Sequence, residues 1–116
     1  MALARGDIAL VPFPFTDLTA RKVRPAVIVS PDPQRLDVVV AFLSSVIPPE
    51  LVETDWVLPI THSEFTLTGL KTTSVFRMGK LLTLHRSLIM RKLGRVGPTI
   101  QRELDARLRR AVGLAS

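Results

Sequence analysis

The side chains best suited to chemistry in this sequence are arginines and hydroxyls that stand at the ends of predicted strands. Arg24 comes directly before Pro25 and the apolar run 26–29, and Ser44 ends the next β-branched run. Pro25 restricts the preceding residue to extended conformations and so helps to aim Arg24. Arginine offers a planar fork of donors that matches phosphate oxygens, and a serine hydroxyl can also donate. These residues therefore indicate the handling of a phosphodiester.

Several other kinds of site are excluded by composition and spacing. The chain has no cysteine, so disulfides, thiolate zinc sites and cysteine nucleophiles are absent. Its six glycines are scattered and form no phosphate-binding loop. No nucleophile elbow is present, and His62 and His85 lack the spacing of a zinc site. We therefore expect neither a metal nor a cofactor.

The charge is concentrated in the second half of the chain. Residues 71–116 hold eleven basic side chains against two acidic ones, a net charge of +9, whereas residues 1–70 carry a net charge of −3. A basic surface suits phosphate backbones, which bind mainly through charge neutralisation, although a solvated basic face would give the same composition. No apolar run is long enough to span a bilayer, and residues 1–11 do not resemble a signal peptide. We expect a cytoplasmic protein without membrane association.

The hydrophobic pattern predicts one mainly β domain with a helical end, as the length of 116 residues also suggests. The strand predicted at 7–15 contains Pro12 and Pro14, which indicate a sheet edge or an early bend. The runs 24–30 and 36–45 are expected to be adjacent antiparallel strands at the centre of the sheet. Residues 46–55 are expected to form a loop, with room for one helical turn.

The remaining elements are less uniform in pattern. A short strand is predicted at 56–60, a loop with weak strand character at 61–71, and a strand with a bulge at Gly79 over 72–84. Residues 85–96 fit either a strand or a helical turn. Gly97 and Pro98 then predict a helix start, and Gly113 its end. The apolar residues of this helix recur every four positions, at Ile100, Leu104, Leu108 and Val112.

An ordered set of short motifs resembles the MazF/PemK family of toxin endoribonucleases over nearly the full length. The motifs are Arg5-Gly6-Asp7, Arg24-Pro25, Leu43-Ser44-Ser45 and the closing AVGL. The resemblance implies a single toxin domain over residues 1–116 with an SH3-like barrel of the MazF/PemK/CcdB type, mainly β with a C-terminal α-helix. It also implies a homodimer and a cognate antitoxin protein that inhibits the toxin.

The reaction implied by the resemblance is metal-independent, sequence-specific cleavage of single-stranded RNA, in which a ribose 2′-hydroxyl attacks the adjacent phosphate. Arg24 matches the catalytic arginine of the Arg-Pro motif, and Ser44 stands where the family has threonine. Arg77 matches the arginine of an Arg-x-Asp motif and would stabilise charge on the phosphorane. Gly79 replaces the carboxylate of that motif, so the general base is open, and His85 is one candidate. The expected RNA-binding residues are Arg21, Lys22 and Lys80.

Other interpretations remain compatible with the same residues. Arg24 could cap a strand edge and pair with a carboxylate such as Asp7. Ser44 could bond only to strand-end backbone, and Arg77 could be an outward-facing strand residue. At the level of the whole protein, the alternatives are a non-enzymatic toxin of the same fold that inhibits a topoisomerase, and a plain RNA-binding SH3-like module.

Overall fold

Antiparallel strands and a C-terminal helix form the described part of the chain. The structure, a computed structural model, describes residues 2–12, 22–31 and 36–114. The elements in chain order are β1 (Asp7–Pro12), β2 (Val23–Pro31), β3 (Asp37–Ser44), β4 (Asp55–Leu58), a first 3₁₀ helix (Phe65–Thr68), β5 (Ser74–His85), a second 3₁₀ helix (Arg86–Leu88), β6 (Arg91–Arg95) and α1 (Pro98–Ala111). The strands form a six-stranded sheet in the order β4-β5-β3-β2-β1-β6.

The centre of the sheet agrees with the hydrophobic pattern. β2 and β3 are adjacent and antiparallel, as the two β-branched runs predict. β1 does not lie at an edge, because it pairs with β2 on one side and with β6 on the other. Pro12 is tolerated there because it is the last residue of the strand, where its missing N–H disrupts little of the ladder. Pro14 lies outside the described residues.

β5 contains the bulge that Gly79 predicts. Phe42 of β3 pairs with Arg77, whereas Ala41 pairs with Leu81, so three residues of β5 are left between two consecutive pairs. The backbone N–H of Met78 donates to the carbonyl oxygen of Thr54, the residue before β4, at 3.0 Å. The bulge therefore carries residues 78–80 away from β3.

The segment at 61–71 is a loop, as predicted, but it contains a 3₁₀ helix and no strand. Its 3₁₀ helix Phe65–Thr68 ends at Gly69, whose φ of 73° favours glycine. A Cβ on Gly69 would collide with the backbone carbonyl of Leu93, and one on Gly94 with the backbone of residues 67–68. The turn that follows edge strand β4 thus packs directly on the opposite edge strand, β6, which requires a curled sheet.

The two remaining ambiguous segments are also settled. Residues 46–54 form a loop with one hydrogen-bonded turn at 53–54, closed by the N–H of Asp55 and the carbonyl of Val52. Residues 85–96 contain both alternatives in succession, since the 3₁₀ helix Arg86–Leu88 precedes β6.

The helix α1 begins and ends where the sequence predicts. Gly97 is its N-cap residue, and Gly113 adopts a φ of 74° just beyond its end. Ile100 and Leu104, on the inner face of the helix, are fully buried, but Val112 is 50% exposed. The apolar stripe therefore ends one turn earlier than predicted, at Leu108, which is partly buried against the core.

Apolar side chains are buried on both faces of the curled sheet. On one face, Ile8 and Phe76 pack with the buried residues of α1. On the other face, β1, β2 and β3 contribute a second cluster that includes Phe42. The predicted class, a mainly β SH3-like barrel with a C-terminal helix, is confirmed. Within the described ranges, no helix is both long and apolar enough to cross a membrane.

Candidate active site

A cavity of about 560 Å³ lies where β2 and β3 meet the bulge of β5. The predicted catalytic residues Arg24, Ser44 and Arg77 all line it, although they come from three different strands. The other described lining residues are Phe42, Leu43, Val46, Gly79, Lys80 and Leu81.

Strand register explains why these three residues meet. Ala26 pairs with Phe42, and Phe42 pairs with Arg77, so the three side chains point to the same face. Arg24 precedes Ala26 by two residues, and Ser44 follows Phe42 by two. Because side chains two apart on a strand share a face, Arg24 and Ser44 are on that face as well.

Ser44 is oriented by the chain that follows it. Its Oγ accepts a hydrogen bond from the backbone N–H of Val46 at 3.0 Å. A hydroxyl that accepts one bond still has its own proton to donate. Ser44 can therefore donate to a phosphate oxygen in the cavity while its position is fixed from behind.

Arg77 is held by a carboxylate that sequence reasoning did not single out. Its Nε lies 3.2 Å from Oδ1 of Asp55, whose side chain is only 2% exposed, whereas the Arg77 side chain is 32% exposed. The two residues face each other across the β4–β5 pair. In the sequence, Asp55 is an acid at the end of a polar loop, and only the pairing of β4 with β5 shows its partner.

The expected RNA-binding residues fall into three situations. Lys80 lies in the bulge, is exposed and lines the cavity. Lys22 is exposed just before β2 but does not line the cavity. Arg21 lies outside the described residues. Arg24, Arg77 and Lys80 thus give the cavity three cations, and none of its described lining residues is acidic.

His85 is far from these cations. It pairs with Asp37 at the opposite end of β3, five residues from Phe42 and hence roughly 16 Å along the strand. Its Nδ1 lies 2.7 Å from Oγ of Ser87, at the start of the second 3₁₀ helix. This geometry gives His85 a local structural contact and no position at the cavity.

Asp7 is also engaged elsewhere. Its carboxylate lies 3.2 Å from Nζ of Lys92 and accepts a hydrogen bond from the backbone N–H of Ala4. Arg24 faces Val11, four residues further along β1 than Asp7. Asp7 is therefore not the carboxylate that would pair with Arg24 if Arg24 were a strand cap.

Comparison with known proteins gives one family and a set of similar structures. The profile of a family described as PemK-like, MazF-like toxin of type II toxin–antitoxin system matches residues 4–112. No match was found among curated proteins.

The similar structures share the fold at low sequence identity. A mycobacterial endoribonuclease in complex with its cognate antitoxin is 20% identical, with a TM-score of 0.77 and 99% of each chain covered. The Mycobacterium tuberculosis toxin MazF-mt6 is 18% identical, with a TM-score of 0.74, covering 95% of this chain and 99% of that one. A MazE–MazF structure from Deinococcus radiodurans is also 18% identical, with a TM-score of 0.73 and 96% of each chain covered.

Proposed function

This chain belongs to the PemK-like, MazF-like toxin family of type II toxin–antitoxin systems, and we propose that it is an endoribonuclease that cleaves single-stranded RNA at particular sequences without a metal ion. The observation that carries the proposal is the meeting of Arg24, Ser44 and Arg77 in one cavity. Two guanidinium groups and a hydroxyl donor there match the needs of a phosphorane better than those of a neutral ligand.

The proposed reaction begins with attack of a ribose 2′-oxygen on the adjacent phosphorus. The bond to the 5′-oxygen of the next nucleotide then breaks, and a proton goes to that oxygen, leaving a cyclic phosphate. Arg24 and Arg77 stabilise the negative charge of the phosphorane, and Ser44 donates to one of its oxygens. The guanidinium groups stay protonated, so the 2′-proton passes to a different group.

RNA is held mainly by charge in this proposal. Lys80 neutralises a phosphate next to the one that is cleaved, and the exposed Lys22 neutralises another beyond the cavity. Arg21 is expected to bind RNA on the basis of its charge in the sequence. The apolar lining of the cavity, including Phe42 and Leu81, accommodates the flat face of an unstacked base. Double-stranded RNA would not present its bases in this way, which favours a single strand.

We extend the proposal to partners and assembly. Similar structures include a toxin bound to its cognate antitoxin and a MazE–MazF assembly. The net charge of +9 over residues 71–116 suits an acidic antitoxin segment, whose encounter would be accelerated electrostatically. We expect a single domain over residues 1–116 that forms a homodimer and acts in the cytoplasm. Sedimentation showing only monomer at micromolar concentration would contradict the dimer.

The decisive experiment is a cleavage assay with defined single-stranded RNA in the presence of a chelator. We expect discrete cuts that persist with the chelator and stop when the antitoxin is saturating. Inhibition of DNA supercoiling without RNA cleavage would instead support the topoisomerase-directed toxin. RNA binding without any cleavage would support the plain binding module.

A further inference from the structure

The ion pair between Asp55 and Arg77 connects the cavity with the interior of the domain. Nε of Arg77 is 3.2 Å from Oδ1 of Asp55, and the Asp55 side chain is almost completely buried. Burial of a carboxylate is unfavourable unless its partners compensate for the lost hydration. The Asp55 carboxylate therefore depends on Arg77 and its other hydrogen-bond donors, unlike the members of an exposed surface ion pair.

Asp55 is itself held in place from several directions. Its Oδ2 accepts a hydrogen bond from the backbone N–H of Val52 at 3.2 Å, and its own N–H donates to the Val52 carbonyl at 3.0 Å. Its carbonyl oxygen accepts a bond from Nε of Arg107 in α1 at 3.3 Å. The carboxylate therefore presents a fixed acceptor to Arg77.

A fixed acceptor matters because arginine is long and flexible. The bond from Nε uses one of the five N–H donors of the guanidinium, so the two terminal nitrogens can still bind phosphate oxygens. It also fixes the plane of the fork relative to β5. We propose that Asp55 is a positioning residue that holds the Arg77 guanidinium in the orientation needed at the scissile phosphate. The inference rests on the proposed function.

Asp55 differs in kind from the carboxylate that Gly79 replaces. Gly79 is exposed and lines the cavity, and a Cβ there would approach Oγ1 of Thr54 at 3.0 Å. Asp55 lies behind Arg77 and, at 2% side-chain exposure, is out of reach of RNA. It cannot take the 2′-proton and acts only through Arg77.

A double-mutant cycle tests this directly. We expect Asp55→Asn, which keeps the size but removes the charge, to lower the single-turnover cleavage rate on the order of tenfold or more. In an Arg77→Ala background the same change should cost almost nothing further, because the guanidinium to be positioned is gone. An equal loss in both backgrounds, or no loss in the wild type, would overturn the proposal.

RNA affinity separates positioning from general damage. Asp55→Asn removes a negative charge close to the cavity, so the Kd for a non-cleavable RNA analogue with a 2′-deoxy nucleotide should stay the same or decrease. A loss of rate accompanied by a matching increase in Kd would indicate a merely structural role. The matched control is Asp105→Asn, which breaks the 2.6 Å ion pair with Arg5 on the surface and should change neither quantity.

A measurement without RNA keeps the two proposals distinguishable. Hydrogen exchange of the Arg77 Nε–H, followed by NMR and assigned by its loss in Arg77→Lys, should be at least about tenfold slower than that of the exposed Arg109. If the Nε–H groups of Arg77 and Arg109 exchanged at equal rates in the wild-type protein, Asp55 would not restrain Arg77. This outcome would refute the proposal even if Asp55→Asn fails to fold. Slow exchange of the Arg77 Nε–H in a protein that does not cleave RNA would refute the proposed function, but the restraint of Arg77 by Asp55 would still stand.

Discussion

The carboxylate of Glu64 accepts a hydrogen bond from the backbone N–H of Ile100 at 2.9 Å. Its second oxygen accepts one from the N–H of Thr99 at 3.0 Å. Gly97, the N-cap residue, has no side chain to do this, and a Cβ there would collide with the Glu64 carboxylate. The α1 helix is therefore capped by a residue from the loop that precedes the first 3₁₀ helix, which ties α1 to the curled edge of the sheet.

This cap predicts a dependence of stability on pH. Burial raises the pKa of Glu64, but the hydrogen bonds from Ile100 and Thr99 outweigh it and hold the pKa below its ordinary value of 4.5. A lowered folded-state pKa means that the stabilisation is complete above the unfolded value and is lost as pH falls through the folded one. In urea unfolding, Glu64→Gln should cost about 1 kcal/mol near neutral pH and progressively less as the pH falls below 4.5 and through the lowered folded-state pKa.

The control for this cap is Glu50→Gln, in the exposed loop before β4. It should leave the free energy of unfolding nearly unchanged across the same pH range. If Glu64→Gln lowered the stability equally at all pH values, the hydrogen-bonded charge would not be the cause.

Arg24→Ala should reduce the single-turnover cleavage rate by roughly 10²-fold or more, because a transition-state donor is lost. RNA affinity should fall much less, since the remaining basic residues still neutralise phosphates. Arg24→Lys should recover little activity, because an ammonium keeps the charge but not the fork. Arg109→Ala, on the exposed last turn of α1, is the matched control and should cleave normally. If Arg24→Ala cleaved RNA normally but unfolded at a lower temperature, Arg24 would be a strand cap and not a catalytic residue.

Ser44→Thr should retain most activity, whereas Ser44→Ala should lose on the order of tenfold or more in single-turnover rate. Threonine keeps the hydroxyl that accepts from Val46 and donates to phosphate, and alanine removes both contacts. The thermal stability of Ser44→Ala should change little, because Val46 is 73% exposed and water can replace the lost acceptor. Ser45→Ala provides the comparison at the neighbouring exposed hydroxyl. Equal losses at both positions would argue against a specific role of Ser44.

Lys80→Ala should weaken RNA binding similarly for all sequences and reduce the slope of log K against log salt by about one. The reason is that a single phosphate contact is lost without any base contact. Fluorescence anisotropy over a salt series measures both quantities. Lys71→Ala, an exposed lysine that does not line the cavity, should leave the slope unchanged. A change of sequence preference in Lys80→Ala would show that Lys80 reads a base.

The sequence by itself determined those features that depend on local chemistry and period. The β-branched runs predicted β2 and β3, Gly97 and Gly113 predicted the bounds of α1, and Gly79 predicted the bulge. The Arg24-Pro25 motif and the hydroxyl at Ser44 pointed to residues that do line one cavity. Each of these signals is contained in a few neighbouring residues, where backbone propensity and side-chain type decide the structure.

Tertiary structure decided the features that depend on register and on contacts between distant segments. The pairing of β4 with β5 places Asp55 behind Arg77, and the curl of the sheet places Glu64 at the start of α1. The same register places His85 at the far end of β3 from the cavity. The sequence does not state which residues of two strands are paired. These contacts depend on that register, because shifting a strand by one residue sends every side chain to the other face.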